Sequence, residues 1–524
     1  MTPTPPEIRL LSRWASPLLG IMATLGLLVD LGGLTLRHWD EARLGVSAME
    51  MAQSNNWLIT TFGFKPDLWS TKPPLMIWLQ AGLIQLLGPT EWAVRLPAAL
   101  AALATVGLLY WFMAKFLRRP LGGLLAGVVL IGSQGFLGQH HGHAGDYDAL
   151  LTLMQLVIGL SVLLLLETKR RRWWIGVGVG LIVATLTKGV AVLLPLPGMA
   201  LYCLAHRQGR ALLRTTGFWV VLLSWVAAGV GWYALREHLG PGYWAAINEN
   251  ELGGRFGAVL DKHEGPWYFY LARMAAARFL PWVYVVPVVV LFAVRHPDAR
   301  ARRIAGFAAS WAAGMLVVLA VAKTKIEWYS VPAYPWLALL VGLGGPRLAT
   351  LLLGRVRGRP LQISLRVLLT AFLIVPPLAT IGLEQRRYRR DTADEARVGY
   401  GLRALSDEDQ PPTPLFVVAP GSFYSALLPP TAPGGTFGYN ASLRFYVLAY
   451  PRPLCVVPPA SINSLRGSGY VLTSTTADSA LVRAAFPQAS CRAVGRFSCW
   501  LWMLPGTPRV EQPAPPLRPR KILK

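Results

Sequence analysis

The sequence is short of charge and shorter still of acid. Of its 524 residues only 15% are Asp, Glu, Lys or Arg, and 51 basic residues face 26 acidic ones. That excludes a soluble domain of ordinary composition, in which about a quarter of the residues are charged. Cysteine is scarce too. Four in the whole chain cannot frame a disulfide-built fold, and Cys203 lies inside an apolar run. No repeat of fixed period is present, which excludes solenoids and propellers and argues against the duplicated halves common in transporters.

Apolar residues make up 53% of the chain. They fall into stretches long enough, at about 17 to 23 residues, to cross a hydrocarbon core. About eleven such spans are expected, near residues 16–36, 92–113, 121–138, 149–166, 173–187, 189–205, 216–235, 267–293, 304–322, 328–345 and 366–383. The first run is too long for the core of a signal peptide and has no small-residue cleavage site after it, so it reads as a retained helix. The fold class expected is a polytopic α-helical membrane protein with a small extracytoplasmic domain of mixed α/β structure at its C-terminus.

A formal charge of +25 invites a nucleic-acid reading, and the placement of the charges argues against it. Lys115, Arg118 and Arg119, then 169–172, then Arg207, Arg210 and Arg214, then Arg295, Arg300, Arg302 and Arg303, then Arg347, Arg355, Arg357 and Arg359 occupy every second connection. This is the positive-inside pattern. It places the N-terminus inside and the loops at 37–91, 139–148, 236–266 and 323–327 outside, with everything beyond about residue 384.

The domains expected are a transmembrane part over 1–383, an extracytoplasmic domain over 384–510 and a disordered Pro- and Arg-rich tail over 511–524. Within the first, the long loop 37–91 carries helical spacing from Asp40 to Met51 and a Trp-bearing apolar segment from Pro73 to Leu87 suited to the membrane interface. A second long loop covers 236–266. Beyond residue 384, short runs at Leu415–Val418, Phe445–Val447 and Tyr470–Leu472 read as strands. Two apolar runs about Gly495 and Arg496 would place Cys491 opposite Cys499 as a disulfide pair.

Polar residues gather on the outer side. They are Asp40, Glu41 and Lys72 in the first loop, then His140, His141, His143, Asp146 and Asp148, then Lys188, Arg255, His263, Glu264, Lys323 and Lys325. Asp30 lies within the first expected span, where an acid is costly and would line a polar cavity. Acids, bases and cations at the rim of a helical bundle suit a reaction on a membrane-embedded anionic substrate. A transporter or flippase of a lipid-linked sugar is the alternative, since intramembrane charge is also its mark.

The local motifs carry a resemblance. Asp40-Glu41-Ala42-Arg43, Trp57, Lys72-Pro73-Pro74 and 91–97 (EWAVRLP) resemble the first loop of glycosyltransferases of the GT-C type related to aminoarabinose transferase and the protein mannosyltransferases. Residues 145–152 (GDYDALLT), 186–189 (LTKG), 250–256, 263–268 (HEGPWY) and 323–335 (KTKIEWYSVPAYP) follow in the family's order. The resemblance covers roughly residues 35–340 and implies transfer of a sugar, with inversion, from a polyprenyl-phosphate donor. The acceptor would be an extracytoplasmic glycan, lipid or protein hydroxyl, and the setting a bacterial inner membrane whose lipids the chain contacts.

It implies, residue by residue, that Asp40 is the catalytic acid group that takes or orients the nucleophile's proton, with Asp148 and Asp146 as further catalytic candidates. Lys72 would hold the donor phosphate, joined by Arg255, Lys325 and Tyr329. Many relatives bind a divalent metal between a Glu preceding the lysine and a later His. Here Thr71 precedes Lys72, which leaves His263, with Glu41, as candidates for a metal ion or for substrate, and the histidines beside Asp146 as another source of ligands.

Overall fold

The structure, a computed structural model, describes residues 6–37, 39–68, 70–252, 257, 259, 263–390, 394–418, 441–465, 468–495 and 499–506. Arg255 and the tail beyond 506 lie outside them. The chain divides into two units, Met1–Leu34 with Asp40–Asp391, and Thr35–Trp39 with Thr392–Lys524.

The first unit is helical and multi-pass. Among the described residues seven helices are long and apolar enough to cross a bilayer: Glu91–Phe116, Asp148–Thr168, Trp173–Leu193, Thr216–Leu239, Ala299–Val321, Glu327–Arg355 and Arg359–Arg386. Phe269–Arg278 and Trp282–Val294, bent by 113° at the break between them, make an eighth if they are one span. The remaining three expected spans correspond to shorter apolar helices, Arg13–Leu28, Pro120–Ile131 and Leu196–Ala205. Glycine and proline explain the shortening. Gly189, at φ +54, ends the helix Trp173–Lys188, and Pro195 stands before the next one at Leu196.

The first span also stops early. Its helix ends at Leu28, and Asp30, at φ +61, is exposed in the turn that follows, where its carbonyl accepts the Gly33 N–H. Asp30 therefore does not line a cavity from within a span. The helix Asp148–Thr168 packs against Trp173–Lys188, Glu91–Trp111 and Ala299–Val321. Its two ends differ in kind. Asp148 begins it, whereas near its last turn Glu167 holds the Arg303 guanidinium at 2.8 and 2.9 Å. Trp282, Trp311 and Trp336 are buried in the bundle, the last two rings 4.9 Å apart.

In the first loop, the helix Asp40–Ser54 is buried along Glu41–Met51, followed by the short hairpin β1 (Thr61–Phe62) and β2 (Lys65–Pro66) and the apolar helix Leu75–Leu87. Glu50 ties the helix to the hairpin by accepting from Thr61 Oγ1 and the backbone of Gly63 and Phe64, each at 2.8 Å.

The second unit carries a mixed sheet of β3 (Leu415–Val418), β4 (Leu454–Val457), β5 (Tyr470–Thr473), β6 (Ser490–Val494) and β7 (Cys499–Met503), in the order β4-β3-β5-β7-β6. β3 runs parallel to β4 and β5, and β7 pairs antiparallel with β5 and β6. Val418, Val471, Val482, Ile462 and Trp502 form its core. The segment Thr35–Trp39 belongs to this unit: Leu36 N–H donates to Tyr446 Oη and Ser442 Oγ donates to Leu36 O.

Two expectations fail here. Phe445–Val447 lies in the helix Ala441–Ala449 rather than in a strand. Cys491 and Cys499 are not opposed, because Cys491 pairs with Trp502 and Cys499 with Val494. That register separates the two by three positions, roughly 10 Å along the strand and on opposite faces, too far to bridge. Both are free thiols.

Candidate active site

Two neighbouring acids open the helix Asp40–Ser54, where the positive end of the helix dipole favours them. They meet different fates. Glu41 is buried and forked by Arg95, Nε to Oε1 at 2.7 Å and Nη2 to Oε2 at 3.0 Å, and it also accepts the Gly145 N–H at 2.9 Å. Arg95 in turn donates to the carbonyls of Leu31 and Leu34. Both oxygens of Glu41, expected to serve a metal or a substrate, thus accept from groups of the protein itself, and the pair clamps the start of the helix to Arg95. The Asp40 side chain is 51% exposed.

The loop before the helix Asp148–Thr168 comes to meet it. His140 Nδ1 lies 2.9 Å from Asp146 Oδ2 and 3.8 Å from Asp40 Oδ2. The His140 ring lies flat on Trp328, centroids 3.5 Å apart and planes within 8°. Asp146 is buried, and its Oδ1 accepts the Tyr147 N–H at 2.6 Å. Burial alone would raise the pKa of Asp146, but the hydrogen bond and charge of His140, the charge of Lys188 and the Tyr147 N–H outweigh it and hold the carboxyl below its ordinary value. It is a carboxylate.

His141 points the other way. It is held between Phe136 O at 2.7 Å and Thr152 Oγ1 at 3.2 Å, and burial lowers its pKa to about 3, so it is neutral. Asp40, His140 and Asp146 form, among the described residues, the one group of three whose donor atoms all lie within 4.8 Å and so could hold a metal ion. Neither Glu41 nor His263 is in it.

Asp148 is buried and bound to Lys188 through both oxygens, at 2.7 and 2.6 Å. It is half of a buried ion pair. Tyr329 lies beyond, its ring 4.6 Å from Lys188 Nζ.

Lys72 stands on another flank, 5.4 Å from the Tyr147 ring and 3.7 Å from Glu251 Oε1. Glu251 also accepts from Thr71 Oγ1 at 2.9 Å. The second long loop thus brings an acid beside Thr71 and Lys72. The ammonium of Lys325, expected at the donor phosphate, donates to the carbonyls of Leu319, Ala320 and Ala322 at 2.9, 2.6 and 2.6 Å. All three N–H bonds close the end of the helix Ala299–Val321, and burial lowers its pKa. His263 is exposed, and its carbonyl accepts the Lys325 N–H. Sequence reading missed His140 as the neighbour of Asp40 and Trp328 as the platform under His140, since nothing in their spacing pairs them.

The fold and part of the sequence are similar to those of known proteins. Residues 71–232 match the family model described as dolichyl-phosphate-mannose-protein mannosyltransferase. ArnT from Cupriavidus metallidurans, solved bound to undecaprenyl phosphate, superposes with a TM-score of 0.60 over 93% of this chain and 97% of that one, at 19% identity. The fold is the ArnT fold. The oligosaccharyltransferase of Archaeoglobus fulgidus also superposes, at a TM-score of 0.54 and 10% identity over 88% of this chain and 69% of its own. In sequence, the undecaprenyl phosphate-alpha-4-amino-4-deoxy-L-arabinose arabinosyl transferase of Shewanella sediminis is 27% identical over 60% of this chain. The first such transferase of Pseudomonas fluorescens strain Pf0-1 is 28% identical over 64%. The matches cover 57% and 58% of those proteins' own lengths. In fold and in part of its sequence the chain is similar to the ArnT transferases, and it spans less than two thirds of the length of the curated relatives it matches.

Proposed function

We propose that the chain is a membrane glycosyltransferase that moves a sugar from a polyprenyl-phosphate donor to an acceptor hydroxyl or phosphate outside the cytoplasm, with inversion. The observation that carries the reading is one exposed carboxylate, Asp40, beside the half-buried His140 and the buried Asp146, with the Lys72 ammonium 5.4 Å from the Tyr147 ring that follows Asp146. Such an arrangement provides both ends of a displacement. As the acceptor oxygen attacks the anomeric carbon, its proton passes to Asp40. The bond from that carbon to the phosphate oxygen breaks, its electron pair leaves with the polyprenyl phosphate, and Lys72 stabilises the added charge. A single displacement of this kind inverts the anomeric centre.

The curated relatives are named for undecaprenyl-phosphate aminoarabinose, and that donor is the first to assay, with lipid A or another lipopolysaccharide sugar as acceptor. The alternation of basic connections supports a site facing away from the cytoplasm. Asp40→Asn keeps the shape and removes the base, so it should bind donor normally and lose transfer by about a hundredfold or more. Release of polyprenyl phosphate from labelled donor measures this. Near-normal release by the purified variant would overturn the assignment, and movement of intact donor across the bilayer without release would mark a flippase.

A further inference from the structure

Asp146, His140 and Asp40 form a line of contacts running from the buried interior to an exposed acid. Each link but the last is fixed. The Tyr147 N–H holds Asp146, Asp146 Oδ2 holds His140 Nδ1 at 2.9 Å, and Trp328 lies flat against the imidazole at 3.5 Å. The backbone of His140, at φ +65, aims the ring there. Asp40 is different. It sits in the first turn of its helix with half its surface in solvent, and among the described residues His140 is the one basic side chain within 4 Å of it. An exposed carboxylate samples several rotamers, whereas a general base must meet its proton at hydrogen-bond distance.

We propose that His140 is a positioning residue for the transfer, holding the Asp40 carboxylate toward the acceptor and itself held by Asp146. The inference rests on the reading of Asp40 as the base. His140 Nδ1 stands 2.9 Å from Asp146 Oδ2 and 3.8 Å from Asp40 Oδ2, so one edge of the imidazole faces both carboxylates while Trp328 fixes the plane of the ring. From that edge His140 draws Asp40 Oδ2 inward and fixes which of its oxygens faces the substrate.

The test uses purified full-length protein and labelled undecaprenyl-phosphate aminoarabinose, with an envelope-lipid extract as acceptor and polyprenyl phosphate release as readout. His140→Phe keeps a ring on Trp328 and removes the donor, and should lower kcat about a hundredfold while leaving the donor KM unchanged. His140→Asn offers an amide N–H and tolerates the left-handed backbone, so it should recover at least about a tenth of wild-type turnover. In an Asp40→Asn background, His140→Phe should cost nothing more, since it acts through Asp40. If His140→Phe is not monodisperse on size exclusion, Asp146→Asn asks the same question by releasing the ring, with the same kcat loss expected.

Turnover by His140→Phe, or by Asp146→Asn in its place, within about threefold of wild type overturns the proposal, as does a change in KM alone. So does a wild type whose turnover is abolished by chelation and restored by Mn2+, which would make the three residues a metal site. A wild type that releases no polyprenyl phosphate sinks the transferase reading and this inference with it, whereas normal release with indifferent His140 variants sinks the inference alone.

Discussion

Residues of one chemical type part company in this molecule according to what their lone pairs and protons already hold. Asp40 and Asp148 are both acids that open helices, yet one is exposed and the other is locked onto Lys188 at 2.6 and 2.7 Å. Removing Lys188 leaves a buried, uncompensated carboxylate, so Lys188→Ala should destabilise the protein by about 3–5 kcal/mol, and the double change Lys188→Met with Asp148→Leu by clearly less. Thermal unfolding in detergent compares them; equal losses would mean that the pair is not electrostatically coupled. Lys72 and Lys325 part in the same way. Lys72→Ala should raise the donor KM and lower kcat/KM at unchanged melting temperature, whereas Lys325→Met, which strips donors from three helix-end carbonyls, should cost about 1–3 kcal/mol and spare donor affinity. The sequence showed the residue types and their order. Which groups were already spent depended on carbonyls and counter-charges far along the chain: Arg95 is 54 positions from Glu41, and Lys188 is 40 from Asp148.

At the scale of elements, hydropathy was legible and exact length was not. Every expected span corresponds to an apolar helix, but glycines and prolines near residues 189–198 shortened one and a turn after Leu28 shortened another. Some of those small residues are contact points. A Cβ on Gly314 would overlap the backbone of Gly198, and one on Gly198 would overlap the carbonyl of Ser310, so the helices Leu196–Ala205 and Ala299–Val321 touch backbone to backbone. Gly314→Ala should therefore cost about 1–3 kcal/mol. Gly229→Ala, meeting only Thr185 Cγ2 at 3.6 Å, should be neutral or slightly stabilising as a helix-interior control. Register in the C-terminal sheet was the least legible feature, because apolar runs mark strands without saying which residues face each other. The observed register makes a prediction about thiols. Cys499 is buried, its pKa pushed up to about 12 by burial, while Cys455 and Cys491 are exposed. Burial and protonation both protect Cys499 at pH 8, so maleimide should modify Cys455 and Cys491 in the folded protein and reach Cys499 only after unfolding. A disulfide-linked Cys491–Cys499 peptide in unreduced digests would show the register to be wrong.

For the molecule as a whole, orientation follows from charge and parity together. Positively charged residues occupy every second connection, and the retention of such loops in the cytoplasm sets the direction in which a chain threads the bilayer. Among the described residues, seven spans by length, the bent pair Phe269–Arg278 with Trp282–Val294 counted as one span, and Arg13–Leu28, Pro120–Ile131 and Leu196–Ala205 make eleven crossings if each of these also crosses. An odd number from an inside N-terminus leaves the C-terminal unit outside; losing one short helix would bring it back in. The weakest is Leu196–Ala205, 10 residues long and so about 15 Å, half the hydrocarbon thickness, unless it continues the turn Gly189–Leu193 before it. A reporter active only in the cytoplasm should be silent when fused after Leu405 and active when placed in the basic connection at Arg170 and Arg171. Activity at both positions would mean that Leu196–Ala205 or the bent pair Phe269–Arg278 with Trp282–Val294 turns back without crossing. Silence at Arg170 with activity after Leu405 would mean either that a short helix before Arg170 does not cross, or that the protein is inverted, with Asp40 and Lys72 on the cytoplasmic side and the extracytoplasmic acceptor removed from the proposed reaction.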